Sequence, residues 1–255
     1  MNPSPSPERS PVLVTGSAGR IGRAVVAGLL AAGRPVRGLD RVPTPGGVPH
    51  RVAGLEDETA LREMMGEAGA LVHLAATPQD ADFEQCLVPD NVTALRRVME
   101  AASEAGIRRW VLASSIQVNF RQSREGPWPV RVTDGMTPLR WYAATKVMME
   151  AAGYSYARDH GLEVVAVRFG WCPRDAGQVA EIEGEPIAQD TYLSAGDAGR
   201  LVAAAVEVPM AAGFHVVFAT SRPMGRTVFD LEPTRLLTGW EPLDSWPSGG
   251  VGLLE

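Results

Sequence analysis

Three glycines frame this chain: Gly16-Ser-Ala-Gly19-Arg-Ile-Gly22 follows directly on the apolar run Pro11-Val-Leu-Val-Thr15. A short apolar run that ends in glycine reads as a fully buried strand, and residues 23–32, closed by Gly33, read as the helix after it. A strand that turns at once into a helix, with the helix packing back on the strand, needs glycine at each of these places. Gly16 permits the tight turn, Gly19 lets backbone approach a ligand, and Gly22 lets helix and strand touch. The unpaired N–H groups at the helix start then suit a pyrophosphate. Without a ligand the same residues would still make a serviceable tight turn.

Further along, strands and helices alternate. Strands are expected at residues 35–40, 50–53, 70–75, 109–114 and 163–168, with helices at 58–68 (capped by Asp57), 90–105 and around Tyr142. Val42 to Pro49 reads as a surface loop, and residues 119–139 as a long loop. This alternation implies βαβ units and a doubly wound parallel α/β sheet. Residues 12–170 would form the dinucleotide-binding core. Residues 171–255, with a helix near 196–206 and a strand at 213–219, would form a small substrate-binding region. Residues 1–11, rich in Ser and Pro, read as a disordered leader.

Asp40 ends the second strand about 20 residues beyond the glycine turn, where a carboxylate can bind adenosine ribose hydroxyls. That favours NAD, since a 2′-phosphate would be repelled; Arg41, next to it, could instead grip such a phosphate. Tyr142 and Lys146 are four apart and so share a helix face. An ammonium beside a phenol favours the phenolate, which suits proton transfer with a substrate hydroxyl. An amphipathic helix with a snorkelling lysine has the same spacing.

Composition excludes other classes. A net charge of −6 leaves no basic face for nucleic acid or an anionic membrane. No apolar run approaches the ~20 residues that span a bilayer. With Cys86 and Cys172 as its only cysteines, the chain has no disulfide framework, and a reduced, cytoplasmic protein is expected. His50, His160 and His215 lack ligand-like spacing to those cysteines, so no metal is expected.

Thr15-Gly16-Ser-Ala-Gly19-Arg-Ile-Gly22, Val72-His73-Leu-Ala-Ala76, Ala113-Ser114-Ser115 and Tyr142-Ala-Ala-Thr-Lys146 stand in the order seen in the extended short-chain dehydrogenase/reductases, the NAD-dependent epimerase/dehydratase family. The chain resembles that family from about Val12 to Pro242. Within it, the uronate dehydrogenases are the most similar, through Phe83-Glu-Gln85, Val167-Arg-Phe-Gly170 with Cys172-Pro173, and Thr238-Gly-Trp-Glu-Pro242. The resemblance implies an oxidoreductase that moves hydride from a sugar or sugar-acid hydroxyl to NAD. It makes Tyr142 the acid/base, Ser115 and Lys146 its partners, and Asn91 a residue near the active site or a helix cap. Cofactor contacts are implied for Gly16, Ala18, Gly19, Arg20, Ile21, Gly22, Asp40, Arg41, Leu55, Leu74, Ala75, Ala76, Asn91, Tyr142 and Lys146. Substrate contacts are implied for Thr77, Ser115, Gln117, Tyr142, Trp171 and Arg174. His73 is structural in the family. Two departures stand out: Trp171 replaces a substrate-binding serine, and the arginine used on the substrate carboxylate has no counterpart at residues 187–193, leaving Arg174 as a substitute. A nucleotide-sugar epimerase or dehydratase would use the same tyrosine, but relatives that bind a nucleoside diphosphate devote more chain to it after Cys172. A regulatory dinucleotide binder is the other alternative, although such relatives typically lose the tyrosine or lysine. The family also implies a homodimer built on helices 91–105 and 142–160, where Val147, Met148, Ala151, Ala152, Ser155 and Tyr156 offer a small, apolar face.

Overall fold

In β1 (Val12–Thr15), Val12 and Val14 pack into one hydrophobic core while Leu13 packs into another, as the period of two along a strand requires. Both faces of the sheet are therefore covered. The structure, a computed structural model, describes residues 10–248, so most of the expected leader lies outside the described residues. After β1 come α1 (Arg20–Ala31), β2 (Val36–Asp40), β3 (His50–Val52), α2 (Glu58–Met65), β4 (Ala70–His73), a π-helix (Phe83–Thr93) and α3 (Ala94–Glu104). The second half runs β5 (Arg109–Ser115), a 3₁₀ turn (Ile116–Asn119), α4 (Phe120–Glu125), α5 (Arg140–His160), β6 (Glu163–Phe169), α6 (Ala176–Gly184), α7 (Pro186–Asp190), α8 (Ala195–Glu207), β7 (Gly213–Ala219) and α9 (Glu232–Thr238).

The strands form one seven-stranded sheet in the order β3-β2-β1-β4-β5-β6-β7, with every neighbouring pair parallel. Helices α1 and α8 cover one face; α2, α3 and α5 cover the other. The chain's direction of travel reverses between β1 and β4, so a crevice opens at their carboxyl ends. α1 and α8 meet backbone to backbone, since a Cβ on Gly28 would lie 2.5 Å from the Gly199 carbonyl oxygen. On the opposite face Trp110 is fully buried and donates its Nε1 hydrogen to the Ile107 carbonyl at 2.7 Å. Burying a side chain of that size stabilises by roughly 2–3 kcal/mol.

Four differences from the sequence expectations have physical causes. The sheet does not stop at residue 170: β7 pairs along the whole of β6, from Glu163↔Gly213 to Phe169↔Ala219. α1 begins three residues early, at Arg20, with Gly19 as its N-cap. The helix expected from residue 90 begins at Phe83 as a π-helix, capped by Asp82 through the Gln85 N–H. Its wide turn accommodates Pro89, whose carbonyl accepts from the Ala94 N–H five residues on. The loop expected at residues 119–139 contains α4, which stacks against the cavity described below. Among the described residues, no helix is long and apolar enough to cross a membrane.

Candidate active site

At the carboxyl end of β1 the chain turns through Gly16, whose φ of +72° is open to glycine and strained for other residues. A Cβ there would sit 2.7 Å from the Ala75 nitrogen, and one on Gly22 would sit 2.0 Å from the Gly16 carbonyl oxygen. The start of α1 therefore rests directly on the turn. No side chain caps that helix, so its first N–H groups are left for an anion. Arg20 reinforces this. Its Nη2 is buried with no acceptor among the described residues, and the residue lines a cavity of about 950 Å³. A buried guanidinium nitrogen without a partner at a helix N-terminus fits a pyrophosphate. Asp40 accepts the Ala18 N–H at 2.9 Å and the Val42 N–H at 3.3 Å, and it borders the same cavity. Gly19, Ile21, Arg41, Leu55, Leu74, Ala75 and Ala76 also line it.

The cavity continues to the ends of β5 and α5. Three consecutive β5 residues face three α5 residues spaced by four: Ser115 beside Tyr142, the Ala113 carbonyl accepting from Lys146 Nζ at 2.8 Å, and the Ser114 hydroxyl donating to Glu150 Oε1 at 2.5 Å. Tyr142 and Lys146 are 7% and 6% exposed. Lys146 Nζ lies 5.6 Å from the centroid of the Tyr142 ring. The expectation that Lys146 holds the phenol pKa down is not met in this structure. Burial pushes Tyr142 up to about 12, with the Ser115 hydroxyl pulling the other way, and burial lowers Lys146 itself to about 8. Desolvation outweighs the neighbouring ammonium, which donates to a backbone carbonyl. The start of α5 is fixed by Asp80, which accepts the Tyr142 N–H at 3.0 Å. Its first residue, Arg140, is held at a φ of +68°, a conformation that costs a non-glycine residue on the order of 1–3 kcal/mol and that clusters at functional sites.

A profile of the NAD-dependent epimerase/dehydratase family matches residues 12–170. The chain belongs to that family. Its cofactor is NAD, and the buried Arg20 nitrogen, the open helix end and Asp40 all suit it. The chain is similar to the L-arabinose 1-dehydrogenase (NAD(P)(+)) of Haloferax volcanii, with 32% identity over 78% of this chain and 83% of that one. It is 26% identical to the NAD-dependent glucose-6-phosphate dehydrogenase of the same organism, over 92% of this chain and 94% of the relative. Among solved structures it is similar to uronate dehydrogenase from Agrobacterium tumefaciens, with a TM-score of 0.74 and 27% identity over 93% of this chain and 85% of that one.

In this epimerase/dehydratase-family chain, Ser115, Gln117, Tyr142, Trp171 and Arg174 all line the cavity. Three residues of the expected site, Thr77 for the substrate and Asn91 and Ala18 for the cofactor, are not among those lining the cavity. Thr77 spends its hydroxyl on Asp90 at 2.8 Å, and its backbone N–H and carbonyl on Asn91 at 2.8 and 3.1 Å. Asn91 is buried and also donates to Thr145 Oγ1 at 3.1 Å, so it braces α5 from behind. Ala18 is held by Asp40 and is absent from the cavity wall. Arg174 reaches across to the loop after β4, donating to the Pro78 carbonyl at 3.1 Å and to Gln79 Oε1 at 2.5 Å. His73 is buried against Thr15 Oγ1 at 2.7 Å, and burial lowers it to about 3, so it stays neutral. Sequence reasoning missed Asp80 and Arg124, which also line the cavity. Asp80 caps a helix 62 residues away, a contact that leaves no local signal. Arg124 lies in a stretch that looked like loop.

Proposed function

We propose that this chain is an NAD-dependent sugar dehydrogenase of the uronate-dehydrogenase kind. One juxtaposition carries the reading: a buried Tyr142 phenol beside the Ser115 hydroxyl, in the same cavity as the glycine turn. When bound, NAD accepts the hydride from the hydroxyl-bearing carbon. Tyr142, as phenolate, takes the hydroxyl proton. Ser115 orients and polarises the oxygen, and Lys146 has donors to spare beyond Ala113 for a cofactor hydroxyl. Gly16, Gly19, Arg20 and Gly22 hold the pyrophosphate, and Asp40 the adenosine ribose. Arg174, with Trp171 beside it, receives the sugar; its guanidinium suits a carboxylate. Of the residues after 170, the cavity is lined by members of the 171–191 segment, among them Trp171, Arg174, Gln178 and Ile187, and these would wall the substrate end. The sugar dehydrogenases among its relatives, and the likeness to a uronate dehydrogenase, support this choice over epimerisation. NADH production against free sugars, uronic acids and UDP-sugars tests it: turnover of a uronic acid or free sugar is expected, and turnover of UDP-sugars alone would overturn it.

The pH dependence follows from the same residues. Oxidation needs the phenolate, and burial raises the phenol pKa, so the base is mostly protonated at neutral pH. Oxidation kcat/KM is therefore expected to climb from about pH 6 to about pH 10, while reduction, which draws on the neutral phenol, does not. A flat oxidation profile would remove Tyr142 as the base.

The same reading includes a two-fold homodimer on α5. Met148, Ala151 and Ser155 are exposed along one stripe of that helix, and exposed Trp141 packs on Phe83 with ring centroids 4.6 Å apart. Light scattering at micromolar concentration should give twice the chain mass; a 27.2 kDa species alone would refute the dimer.

A further inference from the structure

Beside the adenosine-ribose end of the cavity, one cation stands among three carboxylates. Arg41 donates from Nη2 to Asp90 Oδ1 at 2.8 Å, lies 3.8 Å from Glu56, and follows Asp40 in the chain. Asp90 is itself held from behind, because its second oxygen accepts the Thr77 hydroxyl at 2.8 Å. Thr77 is in turn clasped by Asn91, the next residue on the π-helix. The wide turn of that helix thus sets a carboxylate at the edge of the ribose site, and Asp40, Arg41 and Asp90 all border the cavity. We infer that Asp90 sets the preference for NAD over NADP by occupying the Arg41 guanidinium.

The chemistry runs as follows. An arginine just after an acidic strand end is well suited to grip a 2′-phosphate, bidentately and in plane. Here its donors are already directed at a carboxylate, and Asp90 is the leading reason its pKa is raised. The pair is exposed, with Arg41 63% and Asp90 24% accessible, so it contributes little to stability. Its consequence is where it holds the guanidinium and what charge it leaves nearby. A 2′-phosphate would meet a surplus of carboxylates and an arginine that must first break a charge-assisted bond. Asp40 alone explains why ribose hydroxyls are welcome; Asp90 explains why Arg41 does not offset that preference.

Titrating NADH and NADPH by their fluorescence, without substrate, tests this. Asp90→Asn keeps the size of the side chain and an oxygen for Thr77. It is expected to narrow the NADH-over-NADPH affinity ratio by about tenfold, through tighter NADPH binding. In Asp90→Asn/Arg41→Ala that gain should vanish, because the released arginine is what makes it. A ratio within twofold of wild type in Asp90→Asn, or a gain that survives loss of Arg41, would overturn the inference. Arg41→Ala alone gives an independent reading if Asp90→Asn folds poorly. It should weaken NADPH binding by less than about threefold, and a larger loss would show that Arg41 already serves the phosphate. Failure of the wild type to bind NADH would instead sink the cofactor site, and this inference with it.

Discussion

Phenylalanine at position 142 is expected to cut turnover by a factor of roughly 10²–10⁴, the range over which a positioned acid/base contributes. The change is confined to one oxygen. The ring still fills its buried place, the backbone N–H still meets Asp80 at 3.0 Å, and Lys146 still donates to Ala113. What goes is the group proposed to receive the hydroxyl proton. A phenol raised from 10.0 to about 12 is roughly 3 kcal/mol harder to ionise than one in water, so burial opposes the reactive form. A cation placed beside the phenol, such as the nicotinamide ring of oxidised NAD, would counter that cost. Ser115→Ala should cost less than Tyr142→Phe, since it removes an orienting hydroxyl and leaves the base. Single-turnover NADH formation on the true substrate is the measurement. Near-full turnover by the phenylalanine variant would show that another group takes the proton.

Much of this site could be read from the chain because its parts are local. The glycine turn is seven residues long, and each glycine answers a contact within the turn or with the neighbouring strand. Tyr142 and Lys146 lie one helical turn apart, and β7 matches its expected bounds, Gly213–Ala219. What could not be read depends on contacts between distant segments. That β7 extends the main sheet follows from its register with β6, which its own residues do not announce. A π-helix containing Pro89 has neither the 3.6-residue period nor the composition of an ordinary helix, so its first half passed unnoticed. The pairing of Arg41 with Asp90 is likewise illegible, because the two lie 49 residues apart. The upward push on the Tyr142 pKa is equally illegible, because spacing reveals a neighbouring charge while burial is a property of the fold.

The largest expected loss of stability lies behind the site, at Arg168. This guanidinium on β6 is 1% exposed and grips Glu150 through Nε at 2.9 Å and Nη2 at 2.7 Å. Its Nη1 reaches Asn119 Oδ1 at 2.8 Å, ahead of α4. Glu150 also accepts from Ser114, one residue before Ser115, and lies one turn beyond Lys146 on α5. Arg168→Met would keep much of the volume while leaving the Glu150 carboxylate buried with only the Ser114 hydroxyl. Breaking a buried pair in this way costs about 3–5 kcal/mol, because the remaining charge has neither partner nor water. In a domain of this size that lowers Tm on the order of 10 °C. Glu150→Gln added to Arg168→Met removes the stranded charge and should recover a good part of the loss, which a mere packing defect at Arg168 would not allow. Thermal and denaturant unfolding of the three variants measures this, and a loss below about 1 kcal/mol for Arg168→Met would mean that solvent reaches Glu150. Activity should fall with stability but recover less in the double variant, because Asn119 Oδ1, at the head of α4, still lacks its bond from Arg168 and keeps only the amide's bonds to Gln122 and Gly135. The pair ties β6 to α5, and through Ser114 to β5, next to the place where Ser115 meets Tyr142, so these buried charges also position that serine against that tyrosine.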